Sequence, residues 1–190
     1  MPTNSVKFGL GQPITRYEDA RLTTGQGRYS DDVRTANSTY GYVLRSPYGH
    51  AAIDSLSVRD ARGMPGVLAI YTHEGMAEAG VGDIPCFVPL ENKDGSARHD
   101  TPRPVLARTH VRYVGEPVAF VVAETLEQAK DAAEAVEVDY RMLPAAVDSV
   151  EATKDGAPQL HDHIPNNVIF DWQNGDPAAT DKAFKGAHHV

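Results

Sequence analysis

The stretch between residues 111 and 140 constrains the fold of this chain most strongly, because it predicts a strand, a helix and a second strand in direct succession. Residues 118–123 are apolar without interruption and follow a turn signal that contains Gly115 and Pro117. A short apolar run after such a signal is typical of a strand that is covered on both faces. Proline is tolerated at the first strand residue, since its missing N–H does least harm there.

A helix is predicted to follow this strand at once. Thr125 supplies an N-cap hydroxyl, and Gln128, three residues later, supplies the side chain that completes a capping box. Apolar residues then recur on one helix face, at Leu126, Ala129, Ala133 and Val136. Alternation over residues 136–140 predicts a half-exposed strand, so the whole stretch is interpreted as a βαβ-like scaffold unit.

Shorter elements are predicted on both sides of this unit. Strands are expected at residues 40–45, 53–58 and 66–72, short helices at 59–62 and 73–79, an edge strand at 144–147, a helical turn at 150–154, an extended run at 166–172, and a helix at 177–184 capped by Asp176. The nearly continuous apolar run at 66–72 favours a central place in a sheet. In the strand before it, Ile53, Leu56 and Val58 are the candidate inward residues, although the three-residue step between the first two departs from strict alternation.

The chain is expected to contain one folded domain with a segment on each side. We predict a flexible N-terminal segment at residues 1–15, the domain at 16–150, and an extended segment and helix at 151–190. A length of 190 residues is enough to bury a substantial core. Because Gly186 and Ala187 predict entry into another strand just before the sequence stops, we expect a piece of a longer polypeptide.

The net charge of −8 is concentrated in the last third of the chain, where residues 124–190 carry 5 basic and 13 acidic side chains. Nucleic-acid binding requires clustered lysine and arginine, so this distribution argues against it. A solvated acidic face is the interpretation we favour, and a partner with a basic surface stays open.

Three features of the sequence bear on the cellular compartment of the protein. No apolar run approaches the roughly 20 residues that span a bilayer, and the N-terminus lacks the regions of a signal peptide. Cys86 is the single cysteine and forms no internal disulfide. A cytoplasmic location without a membrane span is therefore expected.

Two loops are candidates for binding an anion. Gly25 and Gly27 lack the third glycine, the preceding strand and the following helix of a nucleotide-binding loop, so a tight turn is favoured. Residues 45–50 place Arg45 and His50 in one turn. This turn either holds an anion or is a loop in which backbone carbonyls fix Arg45, and we favour the second interpretation.

The histidines are candidates for a metal site. His161 and His163 form a closely spaced pair beside prolines, and His188 and His189 are adjacent near the end of the chain. A zinc site requires three or four converging ligands, often on a rigid element, and a short-spaced pair in a loop does not supply them. We therefore predict exposed or capping histidines and no metal site.

Catalytic side chains are not indicated either. Cys86 is interpreted as a small buried hydrophobic side chain rather than a nucleophile, and Glu116 as a turn residue that caps backbone N–H groups rather than an acid–base catalyst. The sequence has no Gly-x-Ser-x-Gly, HExxH or GxxxxGK[ST] motif. We predict no catalytic, cofactor-binding or metal-binding residue in this chain.

Residues 80–104 have little periodicity and are interrupted by glycines and prolines. A structureless run of this length inside a domain is typically a functional or partner-contacting loop, or a mobile insertion. We favour contact with another protein.

A series of motifs along the chain resembles one enzyme family. They are residues 16–19 (RYED), 21–27 (RLTTGQG), 29–32 (YSDD), 45–53 (RSPYGHAAI), 65–67 (PGV), 111–123 (VRYVGEPVAFVVA), 132–144 (AAEAVEVDYRMLP) and 175–176 (GD). Their order resembles the start of the molybdenum-binding large subunit of xanthine dehydrogenase and aldehyde oxidase-like enzymes. The carbon monoxide dehydrogenase-type branch is the most similar. Gly49 departs from the pattern, since the family usually has alanine before the histidine.

This resemblance implies an α+β fold, the α/β hammerhead, with a mixed β-sheet packed with helices. It also implies a holoenzyme that hydroxylates its substrate with oxygen from water at a molybdenum–pyranopterin cofactor and passes electrons to 2Fe-2S clusters and FAD. In the family the cofactor-binding segments and the catalytic glutamate lie in later domains. The implied partners are the remaining domains of the large subunit and the iron–sulfur and flavin subunits.

Two hypotheses about function follow. In the first, the chain is a structural domain of a molybdenum hydroxylase large subunit, inactive alone, that works as a scaffold and a contact. In the second, it is a free-standing binding module whose 80–104 loop and acidic last third form the contact surface. The sequence of the gene beyond the codon for Val190 discriminates between them, because the first requires several hundred further residues.

Overall fold

The computed structural model describes residues 14–87, 90–101 and 103–189, which form two compact units, one ending at Ser38 and the other beginning at Thr39. Only residues 14 and 15 of the predicted flexible segment 1–15 are among them. Pro89 and Pro102 of the predicted contact loop also lie outside the described residues.

The first unit contains helix α1 (Asp19–Thr23) and a 3-10 helix at Ser30–Asp32. Gly25 follows α1 with a φ of 73°, in the left-handed region that favours glycine. Its N–H donates to the carbonyl of Leu22, and the N–H of Gln26 donates to that of Arg21. The predicted tight turn is thus confirmed as the C-terminal end of a helix.

The described part of the second unit contains six strands in two three-stranded sheets. The strands are β1 (Tyr40–Arg45), β2 (Ala51–Ser57), β3 (Val67–Tyr71), β4 (His110–Val111), β5 (Pro117–Ala123) and β6 (Glu137–Met142). The first sheet has the order β1-β5-β3 and the second the order β4-β2-β6. Every described strand pair is antiparallel, so the confirmed α+β fold divides its strands between two antiparallel sheets rather than one mixed sheet.

The predicted strand–helix–strand stretch is present, with one difference. Helix α4 (Leu126–Glu134) begins with the expected capping box: the N–H of Gln128 donates to the Thr125 hydroxyl at 3.2 Å, and the N–H of Thr125 donates to Gln128 Oε1 at 3.0 Å. However, β5 and β6 lie in different sheets. The interpretation as a βαβ-like unit is therefore wrong, because α4 connects two sheets instead of two strands of one.

Two apolar clusters hold the second unit together. The first joins α4 to the first sheet through Val121, Ala129 and Ala133, which are 0–1% exposed. The second cluster joins the two sheets, because it contains Ala51 and Val111 of the second sheet together with Val118 of β5. The alanines of α4 allow its backbone to approach the sheet closely, which explains how a helix of nine residues covers three strands.

Two predictions about strands are corrected. Strand β3 lies at an edge, since it pairs with β5 and its Leu68 is 54% exposed. The central position belongs to β5, whose pairing on both sides cannot be deduced from apolar content alone. No strand forms at residues 144–147, where Pro144 has no N–H to donate to a neighbouring strand and its carbonyl oxygen lies 2.7 Å from Nδ1 of His50.

The irregular step in β2 has a structural cause. Ile53 lies opposite Tyr140 and Ser55 lies opposite Asp139, so the register shifts across Asp54. This β-bulge adds one residue to the strand and returns Leu56 to the side on which Ile53 packs.

The remaining elements are short helices. They are α2 (Arg59–Arg62), α3 (His73–Glu78), 3-10 helices at Glu151–Thr153 and Pro165–Asn167, and α5 (Pro177–Gly186). The Asp176 side chain caps α5 by accepting from the N–H of Ala179 at 2.9 Å, as predicted. Asn166 and Asn167 have φ of 51° and 55°, so the expected extended run at 166–172 is wrong at its start. Within the ranges that the structure describes, no helix is long and apolar enough to cross a membrane.

Candidate functional site

Hydrogen bonds to backbone groups hold the turn that carries Arg45 against the turn before β5. Arg45 Nη1 donates to the carbonyl of Gly115 at 2.8 Å. The N–H of Gly115 donates to the carbonyl of Ser46, and the N–H of Ser46 donates to the carbonyl of Glu116. The interpretation in which backbone carbonyls fix Arg45 is confirmed.

Glu116 lies in the neighbouring turn, directly before β5, and is nearly buried, with 9% of its surface exposed. Its carboxylate accepts a hydrogen bond from the backbone N–H of Arg112. This contact confirms the predicted role of Glu116 as a residue that caps backbone in the turn before β5.

His50 is placed at the other end of the turn that carries Arg45 and packs beside His110. His50 is 7% exposed, and its Nδ1 lies 2.7 Å from the carbonyl oxygen of Pro144. The two imidazole centroids are 6.3 Å apart. No local pattern in the sequence indicates this pair, since the two residues are 60 positions apart and the pairing of β2 with β4 brings them together.

The predicted histidine pairs are present as neighbours. The rings of His161 and His163 have centroids 5.9 Å apart, and those of His188 and His189 are 4.5 Å apart. Among the described residues, no three or more histidine, cysteine, aspartate or glutamate side chains are placed to hold a metal ion.

Cys86 is half-buried rather than fully buried. Its Sγ lies 2.8 Å from Nη1 of Arg98, and its carbonyl oxygen lies 3.4 Å from Nη2 of the same guanidinium. The interpretation as a purely hydrophobic core residue is therefore incomplete, because the thiol also contacts a charged group.

The 80–104 loop is partly attached to the segment before α5. Lys93 pairs with Asp171 at 2.6 Å, and the N–H of His99 donates to the carbonyl of Ile169 at 2.9 Å. In the N-terminal part of the loop, the side chain of Phe87 is 86% exposed. The loop thus combines a fixed middle part with an exposed aromatic side chain that is available for contact.

An open groove lies beside β2, between the two sheets. Its volume is about 630 Å³. The groove has apolar lining from Ile53, Leu56 and Ile70, and polar lining that includes Arg62 and Glu78. Asp54, also in the lining, is held by Arg141, with Nε and Nη2 each 3.1 Å from a carboxylate oxygen.

The first sheet presents a second exposed apolar surface. Helix α4 packs on one face of the sheet. The alternation of antiparallel strands directs six residues to the opposite face, named here the open sheet face: Gly41, Val43, Ala69, Tyr71, Phe120 and Val122. Of these, Val43, Ala69, Phe120 and Val122 are half-buried, and Tyr71 is 38% exposed.

Aromatic packing organises this surface. The rings of Tyr71 and Phe120 stack with centroids 6.4 Å apart and an angle of 21°. The Phe120 ring also lies over Gly41, so that a Cβ added there would be 2.6 Å from Cζ of the ring. The open sheet face is therefore a preformed apolar surface built around one aromatic ring.

Comparisons with known proteins agree on one family. Residues 24–144, more than half of the chain, match the family model described as "Aldehyde oxidase and xanthine dehydrogenase, a/b hammerhead domain". The carbon monoxide dehydrogenase large chain of Afipia carboxidovorans is 35% identical over 96% of this chain and 23% of its own length. The nicotine 6-hydroxylase large subunit of Paenarthrobacter nicotinovorans is 33% identical over 95% of this chain and 21% of its own length.

Solved structures give the same result. The reconstituted CO dehydrogenase from Oligotropha carboxidovorans is 34% identical and superimposes with a TM-score of 0.75, over 95% of this chain and 22% of that one. The chain thus spans less than a quarter of the length of the relatives that it matches. With the two antiparallel sheets, helix α4 and the matched residues taken together, this chain belongs to the aldehyde oxidase and xanthine dehydrogenase family and contains its a/b hammerhead domain.

Proposed function

We propose that this chain is a structural domain of a molybdenum hydroxylase large subunit, and that it works as a scaffold and contact rather than as the catalytic part. The observation that carries this proposal is the open sheet face. Contiguous apolar patches on a protein surface typically mark sites of contact with another surface. The polypeptide that the relatives possess beyond the matched quarter supplies such a surface.

In this proposal the domain boundaries are those predicted from the sequence, with the hammerhead at 16–150 and a connecting segment at 151–190. The molybdenum–pyranopterin cofactor, 2Fe-2S clusters and FAD belong to other domains and to iron–sulfur and flavin subunits. The cofactor supplies hydroxylation with oxygen from water, and this chain supplies no catalytic, cofactor-binding or metal-binding residue. The holoenzyme is placed in the cytoplasm.

The relatives act on chemically different substrates, as the names carbon monoxide dehydrogenase and nicotine 6-hydroxylase state. Both relatives nevertheless align with this chain over nearly all of its length. A shared domain that accompanies different substrates is better explained by a common scaffold role than by substrate selection. No observation favours the alternative of a free-standing binding module.

The proposal is tested by assembly. We would produce residues 1–190 as one polypeptide and the product of the downstream gene sequence as another, and measure their co-purification. Val122→Lys places a charge on the open sheet face, where the lysine stem can reach solvent, so we expect the isolated chain to fold and assembly to be lost. Circular dichroism checks the fold of the isolated variant.

The matched control is Val147→Lys, since Val147 is 93% exposed and lies outside the sheets. This variant is expected to assemble like the unmodified chain. Equal assembly of both variants, or the absence of downstream coding sequence, would show that the proposal is wrong.

A further inference from the structure

Strand β2 has a free edge along the groove that lies beside it. On its other side it pairs with β6 along its whole length. On the groove side, β4 pairs only with Ala51 and Ala52. The chain before β4 turns away, since the N–H of Ala107 donates to the carbonyl of Pro117 at 2.7 Å. Within the described ranges, residues 54–57 of β2 therefore have a strand on one side only.

The hydrogen bonds of β2 show which backbone groups face this free edge. The N–H of Ile53 donates to the carbonyl of Thr109 at 2.8 Å, on the side of β4. Successive strand residues direct their backbone groups to alternate sides, and the bulge at Asp54 adds one residue on the way. The N–H and carbonyl of Leu56 consequently face the groove, whereas those of Ser57 face β6. Such outward groups are the ones with which an added strand pairs.

The groove beside this edge has an apolar lining. Ile53 and Leu56 of β2 are half-buried, and Ile70 of β3 is 6% exposed. The side chains of an extended segment alternate between its two faces, so every second side chain of an added strand would lie on the same side as Ile53 and Leu56. An occupant of the groove is therefore expected to be apolar at alternate positions.

Two carboxylates of α3 give the groove a charge preference. Glu74 and Glu78 lie four residues apart in α3, both are exposed, and both line the groove. Neither forms an ion pair with another described residue, and the same is true of Arg62 in the lining. Two free carboxylates thus accompany one free guanidinium, which favours an occupant with basic side chains.

The other charged side chains of the lining already have partners. Asp54 is paired with Arg141 at 3.1 Å, and Arg108 is paired with Asp83. These two pairs neutralise their own charges, so the net preference of the groove is set by the free carboxylates of α3.

We propose that this groove binds an extended segment of a partner protein, which adds as a strand beside β2 and alternates apolar with lysine or arginine side chains. Its backbone pairs with the free groups of Leu56, and its apolar side chains cover Ile53 and Ile70. Its basic side chains pair with Glu74 and Glu78. The groove is distinct from the open sheet face, so this inference does not depend on the proposed scaffold role.

A second copy of this chain is a less suitable occupant. The free edge of β2 carries Asp54, Ser55 and Ser57 at its exposed positions and no basic side chain. Pairing of two such edges would also bring Glu74 and Glu78 of both copies together, and like charges at an interface repel.

Peptide binding to the full 190-residue chain tests the site. The probe is a synthetic peptide of about seven residues, a common strand length, in which valine alternates with lysine. The matched probe has glutamate in place of each lysine. Calorimetric titration is expected to show at least about tenfold tighter binding of the lysine peptide, because the glutamate peptide meets like charges. Equal affinities, a preference for glutamate, or no binding of the lysine peptide would overturn the proposal.

Amide hydrogen exchange, followed by NMR, locates the bound peptide. Saturation with the lysine peptide should protect the N–H of Leu56 several-fold, because that group gains an acceptor. The N–H of Ser57 already faces β6 and should change little. A lysine peptide that is N-methylated at every residue has no backbone donors and should bind much more weakly. Binding without protection of Leu56, or equal affinity of the N-methylated peptide, would rule out strand addition.

The charge preference is tested by the double variant Glu74→Gln, Glu78→Gln, in which both probes should bind with similar affinity. The matched control is Glu127→Gln, Glu134→Gln in α4, since these glutamates are also exposed and lie outside the groove lining. This control should keep the preference for lysine. If the α3 variant kept the full preference, the assignment of these carboxylates to the site would be disproved.

Sedimentation of the chain without peptide tests for the other occupant. We expect the N–H of Leu56 to exchange equally fast at low and high protein concentration. A dimer that forms as the concentration rises and protects this N–H would assign the groove to a second copy, and the proposal of a basic partner segment would be wrong.

Discussion

The two faces of the first sheet differ in how completely their apolar side chains are buried. Val121 faces α4 and is 0% exposed, whereas its neighbour Val122 faces the other way and is half-buried. The two residues have the same side chain, the same strand and the same central position. The difference shows that burial in this domain is decided by α4, which packs on one face.

The largest effect is expected when asparagine replaces each of these two valines in turn, because the substitutions test directly whether the two faces differ in burial. Val121→Asn buries an amide beneath α4, which costs about 2–7 kcal/mol when no hydrogen-bond partner is present. Val122→Asn leaves the amide within reach of water, so a cost within about 1 kcal/mol is expected. Urea denaturation followed by circular dichroism measures both, and similar costs would show that the open sheet face is buried in the free chain.

A smaller effect is expected from the aromatic packing of the open sheet face. Gly41→Ala places a Cβ where the Phe120 ring lies, and overpacking of this kind costs about 1–3 kcal/mol. In a Phe120→Leu background the clash is removed, so the same substitution should be nearly neutral. A double-mutant cycle measures this coupling, and additive costs would contradict the packing described here.

The smallest effect concerns the start of the covering helix. Thr125→Ala removes the hydroxyl that accepts from the N–H of Gln128, and loss of such a cap costs about 1 kcal/mol. Thr72 stands at the same position before α3 but makes no side-chain cap bond, so Thr72→Ala is the matched control with little expected effect. Equal changes in the denaturation midpoint would mean that the Thr125 cap contributes nothing specific.

The turn before β5 and the neighbouring pair of His50 and His110 show where prediction from the sequence succeeded and failed. Arg45 and Glu116 act on backbone groups close to turns, and their interpretation from turn composition was confirmed. The proximity of His50 and His110 was not foreseen. It depends on the pairing of β2 with β4, which leaves no local pattern.

The sequence by itself determined the elements whose signals are local. The capping residues and alanine-rich face of α4, the apolar run of β5 and the N-cap of α5 each describe a few neighbouring residues, so short-range physics is sufficient to define them. Membership of the aldehyde oxidase and xanthine dehydrogenase family was indicated by the sequence too, through the resemblance of short motifs and their order.

Only the tertiary structure decided how the strands were shared between two sheets. Strand β5 pairs with β1 and β3, while β6 pairs with β2, and these partners lie up to 91 positions apart in the sequence, as for Ala51 and Met142. Pairing at such separations depends on which surfaces meet in the folded chain, because an apolar strand satisfies its hydrogen bonds equally well with several partners. The edge position of β3, the open sheet face and the proximity of His50 to His110 all follow from that choice.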